Sequence, residues 1–263
     1  MMDFLFGLPL WLLAVVLNAW LMGFALAAQW ALRRWVLPRM HIATDASLFF
    51  GAAVMQSAMV LYGLVAALTA VTVWQSHANV SSTASREATA IAGLWRDLGG
   101  YPQADRDAMR EVLRGYTDQI IREAWPEQAK GRVPRGGVAW ADRLQGQLFA
   151  FEPRTESQKT FHGETLSAYN RLIEARNQRL GTVSTRLPGV MWFVLLPGAM
   201  GCLLISLLFR IEDARYQAML VVGLAGFMAM VLFVIFSLDR PFQGDMAVTA
   251  DSYQLIYDQL MKR

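Results

Sequence analysis

Long uncharged apolar runs lie toward both ends of the chain, and between them apolar residues recur at helical spacing. Four runs reach the roughly 20 apolar residues that a helix needs to cross the hydrocarbon core of a bilayer: Phe4–Leu32, Leu48–Trp74, Leu187–Phe209 and Tyr216–Leu238. In lipid an isolated segment satisfies its backbone polar groups only as a helix, so all four are expected to be helical. Between the second and third runs, Ala84, Ala88, Ile91, Trp95 and Leu98 form one apolar stripe and Met109, Val112, Leu113, Tyr116 and Ile120 another. The second run is therefore expected to continue as one helix up to Gly99-Gly100. Pro102 opens the next helix, and Trp125-Pro126 is expected to end it. A shorter stripe holds Val138, Ala141, Leu144 and Leu148, and a turn at Glu152-Pro153 follows. Thr155 with Gln158 makes a capping box, and a stripe from Phe161 to Leu187 is expected to lead directly into the third span. No strand pattern competes.

The fold class read from this pattern is an all-α integral membrane protein, with four transmembrane helices and a helical soluble domain inserted between the second and third. Its parts are 1–74, two spans with a basic connecting turn; 75–186, the helical domain; 187–238, the third and fourth spans; and 239–263, a charged C-terminal tail. Composition agrees: 55% of the 263 residues are hydrophobic and only 17% are charged, which excludes a disordered chain and argues against an ordinary soluble enzyme. The 21 Arg and 3 Lys exceed the acidic residues by a net +3, too little and too dispersed for a nucleic-acid surface. The single Cys202 cannot form an internal disulfide. Arg33, Arg34 and Arg39 after the first span, with Arg210 and Arg215 after the third, place those turns in the cytoplasm under the positive-inside rule. The helical domain and both termini are then expected to be extracytoplasmic; the opposite orientation is the alternative, because Arg171, Arg176, Arg179 and Arg186 crowd the start of the third span.

Chemistry-bearing residues are sparse. His41, His77 and His162 stand alone, without a second histidine at the spacing of a helical metal site, so no metal, cofactor or enzymatic activity is expected. The sharpest local feature is the abrupt exit from the fourth span at Leu238-Asp239-Arg240-Pro241-Phe242, followed by Gly244. Asp239 and Arg240 sit where an ion is costly unless paired or reaching water, which makes them candidates for a charged mouth as well as for a simple stop signal. Within the spans, Asn18, Gln29, Gln56, Ser57 and Gln217 either bond between helices or line water, with Gln56 and Ser57 the candidate pore residues. The second span is dense in small residues, among them Gly51, Ala52, Ala53, Gly63, Ala66, Ala67 and Ala70, as suits a helix at a bundle centre or subunit interface. Arg176 lies between Leu172 and Leu180 on an apolar stripe and calls for a carboxylate on a neighbouring helix, Glu87 or Asp97.

Taken together, the two N-terminal spans, Arg86-Glu87-Ala88, Glu123-Ala124-Trp125-Pro126, Arg186-Leu187-Pro188 with Trp192, and Leu238-Asp239-Arg240-Pro241-Phe242 with Gly244 resemble a bestrophin-like family of bacterial membrane proteins. The resemblance covers nearly the whole chain. It implies a multi-pass protein of the bacterial inner membrane and, through the distant likeness to bestrophins, a homo-oligomeric ion channel, anion-selective by analogy. Its partners would be the bilayer, further copies of the chain and inorganic ions, with no nucleic acid. The alternative is a non-conducting scaffold or sensor whose soluble helical domain binds a partner or ligand.

Overall fold

The computed structural model describes residues 9–39, 45–209 and 211–262, so His41 and Arg210 lie outside the described residues. Within them every regular element is helical: α1 (Leu10–Ala31), α2 (Asp45–Asp97), α3 (Gln103–Gln119), α4 (Trp125–Ala129), α5 (Gly137–Ala150), α6 (Glu156–Thr182), α7 (Gly189–Leu207), α8 (Ala214–Leu238) and α9 (Asp251–Ile256). Four of them, α1, the first half of α2, α7 and α8, are long and apolar enough to cross a membrane. The chain divides into two compact units, Met1–Gln75 with Arg186–Arg240, and Ser76–Thr185 with Pro241–Arg263.

In the first unit, α1 packs along α8 and against α7. Leu21, Ala25, Leu195, Leu203, Ala225 and Ile235 are fully buried between these helices. Gly226 of α8 makes the close approach possible: a Cβ there would sit 2.5 Å from Cε of Met22 on α1. Asp213 starts α8 by accepting the N–H groups of Arg215 at 2.8 Å and Tyr216 at 3.4 Å, satisfying donors that have no partner within the helix. The membrane part of α2 is the least covered of the four apolar helices. Only 11% of its most apolar stretch is buried, against 44% for α8.

The second unit closes around the two predicted stripes. Ala84, Ala88, Ile91, Trp95 and Leu98 of α2 and the residue following it, and Met109, Val112, Leu113, Tyr116 and Ile120 along α3, are all buried in one core. The α2 helix runs unbroken to Asp97 and tightens into a 3₁₀ turn at Leu98–Gly100, as its sequence predicts. Thr155 caps α6 by accepting the Gln158 N–H at 3.1 Å, while the Gln158 side chain accepts from the Arg154 N–H at 2.8 Å.

Two expectations are corrected. Trp125-Pro126 does not end the helix: a π-helical turn at Ile120–Ala124 carries the chain from α3 into α4, and Pro126 falls in the first turn of α4. The stripe from Phe161 does not lead directly into the third span. The α6 helix stops at Thr182 and α7 begins only at Gly189, because Pro188 disfavours helical geometry at Leu187. Within the charged C-terminal stretch, Phe242, Tyr253 and Met261 belong to the core of the second unit.

Candidate functional site

The spacing of charged residues along α2 and α6 sets up the most densely bonded cluster in the second unit. Glu87 and Arg179 each lie on the apolar face of their helix, with 0% and 2% of the side chain exposed, and they form an ion pair through Nε and Nη2 of Arg179. Two phenols complete the carboxylate's shell: Tyr116 donates to Oε1 at 2.6 Å and Tyr253 donates to Oε2 at 3.0 Å. Burial raises both phenols well above their ordinary pKa, and the adjacent Glu87 charge adds to it. Desolvation alone would lower the Arg179 guanidinium, but Glu87 outweighs it and holds Arg179 above its ordinary value. Trp125 lies beside this group, its ring 5.4 Å from Tyr253 and 5.7 Å from Phe242, and its Nε1 donates to the Val248 carbonyl at 3.0 Å. Four charged and phenolic groups therefore fix α2, α3, α6 and α9 to one point. The arrangement positions helices rather than performing chemistry, since both carboxylate oxygens are engaged by the protein itself.

The partner of Glu87 is thus Arg179 and not Arg176. Both arginines lie on the buried stripe of α6, and the crossing of α2 over α6 brings the later one to the carboxylate. Arg176 is 9% exposed and approaches Gly137 at the start of α5. Asp97 takes no part in the cluster. It lines an open groove of about 410 Å³ between α2 and α6, with Arg86, Arg171 and Glu174 on its walls.

In the first unit the exit from α8 is built around Asp239. Its Oδ1 accepts the Leu187 N–H at 2.5 Å, and the side chain is 7% exposed. The Leu187 N–H lies in the extended stretch before Pro188 and has no helical partner, so Asp239 supplies one. Burial raises the Asp239 carboxyl, opposed by the Leu187 hydrogen bond and by Arg240, Trp192 and Arg186. Its neighbour Leu238 is buried with Trp192 and Phe236. Asp239 is therefore an internal acceptor rather than an exposed mouth charge. Arg240 is half-buried, Pro241 and Phe242 are buried, and Gly244 takes a φ of +79° that favours glycine at that turn.

The sequence elements quoted above converge in two places: Arg186-Leu187-Pro188, Trp192 and Asp239 in the first unit, and Glu87, Trp125 and Phe242 in the second. A model of the Bestrophin-like domain matches residues 19–253. The chain belongs to the bestrophin-like family. No match is found among curated proteins or among solved structures. Within this bestrophin-like chain, the candidate pore residues Gln56 and Ser57 lie on the bare face of α2. Both are exposed, and Ser57 returns its hydroxyl proton to the Ala53 carbonyl at 2.8 Å. Ala53, Val60, Leu64, Ala67, Val71 and Gln75 continue the same exposed stripe at helical spacing. Gln217 bonds to the Phe209 carbonyl in the turn between α7 and α8, Gln29 to the Ala214 carbonyl at the start of α8, and Asn18 to the Ala14 carbonyl. Sequence reasoning passed over Tyr253, and over Arg179 as the partner of Glu87, since their only local signal for the cluster is an apolar periodicity shared with many neighbours.

Proposed function

We propose that this bestrophin-like protein forms an oligomeric ion channel of the bacterial inner membrane, selective for anions, with the membrane part of α2 facing the shared axis. The observation that carries this reading is the bare α2 face bearing Gln56 and Ser57. In a lone chain those polar groups would face hydrocarbon, which is costly, whereas copies of the chain around an axis would give them water and cover the small residues beside them. The second unit is the helical soluble domain in this scheme, and Arg240 adds positive potential near the exit of α8. On the positive-inside argument the domain lies outside the cytoplasm.

The test is chloride against potassium flux from liposomes holding the purified protein, with Gln56→Leu and Arg240→Ala beside the parent. Chloride flux that Gln56→Leu reduces, and whose selectivity Arg240→Ala alters, with oligomer size unchanged, is the expected result. A folded, inserted oligomer that passes neither ion overturns the channel reading in favour of a scaffold or sensor, for which the unbroken α2 helix supplies a continuous connection from span to domain.

A further inference from the structure

The turn between α7 and α8 meets the end of α1 in an arrangement that conduction does not require. Arg33 donates through Nε and Nη2 to Oε1 of Gln217 at 3.1 and 2.5 Å, and through Nη2 to the Ile211 carbonyl at 2.6 Å. Gln217, 2% exposed, is itself fixed by donating to the Phe209 carbonyl at 2.9 Å, and Gln29, 6% exposed, donates to the Ala214 carbonyl at 2.9 Å. Every acceptor on Arg33 is neutral. Among the described residues no carboxylate lies within ion-pair distance of Arg33 or of its exposed neighbour Arg34. Arg33 is thus held at the end of an apolar helix by neutral acceptors among the described residues, with the exposed Arg34 beside it, where a charge is costly unless compensated.

They border an open niche of about 400 Å³, lined by Leu26, Gln29, Trp30, Arg33, Arg34 and Ala214. One end of it is basic and the other is apolar. Trp30 and Trp35 are 68% and 61% exposed, and exposed tryptophans flanking an apolar helix mark the headgroup level of a bilayer. A free anion would use only the basic end. A lipid uses both, because guanidinium forks suit phosphate oxygens while Leu26 and Trp30 lie where the acyl chains begin.

We propose that this niche binds the phosphodiester headgroup of an anionic membrane lipid, with Arg33 and Arg34 on the phosphate and Trp30 against the upper acyl chains. The inference rests on the membrane reading above but not on conduction, and it is tested without a flux assay. The full chain, stripped of lipid in neutral detergent, is titrated with phosphatidylglycerol or phosphatidylcholine carrying brominated acyl chains, which quench nearby tryptophan fluorescence. Phosphatidylglycerol is expected to bind about tenfold or more tightly than phosphatidylcholine, with a saturable component that Trp30→Phe removes. Arg34→Gln, whose side chain is exposed and holds no element in place, is expected to weaken phosphatidylglycerol by about tenfold with an unchanged melting temperature. Equal binding of the two lipids, or an Arg34→Gln protein that binds like the parent, overturns the proposal. Displacement of the lipid by inorganic phosphate assigns the site to a free anion and overturns it as well.

Discussion

At the scale of single residues, the Glu87 cluster is where one atom changes most. Replacing Glu87 by Gln removes the negative charge but leaves Arg179 buried, and breaking one side of a buried pair costs about 3–5 kcal/mol. Tyr116→Phe, which removes one donor and keeps the ring, is expected to cost about 1–3 kcal/mol. Denaturant titration followed by tryptophan emission should rank Glu87→Gln well below Tyr116→Phe, and equal losses would refute a charge-dominated cluster. The two phenols add a pH dependence. Their folded pKa values are raised above the ordinary 10.0, so their contribution is complete below about pH 10 and is lost as pH rises further, because the unfolded chain releases those protons first. Melting temperature should therefore fall steeply in alkali for the parent, and less steeply for a Tyr116→Phe, Tyr253→Phe double variant. That a carboxylate would meet an arginine from α6 was legible in the sequence, from Glu87 and an arginine on an apolar stripe. Which arginine was not: Arg176 and Arg179 share the stripe, and only the crossing of two helices 92 residues apart in sequence selects between them. Asp239 was legible as a residue at a boundary but not as the acceptor of Leu187 N–H, because that donor is freed by a helix break 52 residues earlier.

At the scale of elements, the apolar runs and stripes were enough to place the helices, since helix in this chain is dictated by local periodicity strong enough to carry α7 through the internal Pro197. The errors fall where two local signals compete. Pro126 reads as a stop, yet one π-helical turn ahead of it lets the chain continue, whereas the apolar stripe through Leu187 reads as continuous helix and Pro188 in fact separates α6 from α7. Small residues were read as possible contact points, and the structure distinguishes them: Gly226 meets Met22, while a Cβ at Gly223 would find open space. Gly226→Leu should therefore weaken the α1–α8 pair, with about 1–3 kcal/mol lost to overpacking, and Gly223→Leu should not. Thermal unfolding of the two variants in the same detergent separates them, and an equal loss in both would place the contact elsewhere.

At the scale of the whole molecule, each unit is assembled from chain segments far apart in sequence, and each contains a share of the residues on which the resemblance to the family rests. Tyr253 shows how far this goes: it is fully buried and bonds to Glu87, 166 residues before it. During synthesis, Glu87 and Arg179 emerge long before Tyr253, so the core of the second unit stays incomplete until Tyr253 has been made. A chain terminated just before Tyr253 keeps all four apolar helices and should still insert, yet it lacks the phenol that closes the cluster. Such truncated chains should be cleaved within the second unit by limited proteolysis far faster than the full-length protein. The position of one buried tyrosine thus makes the synthesis of its own segment a checkpoint, before which a membrane-inserted product differs from a later one by the protease sensitivity of a region made much earlier.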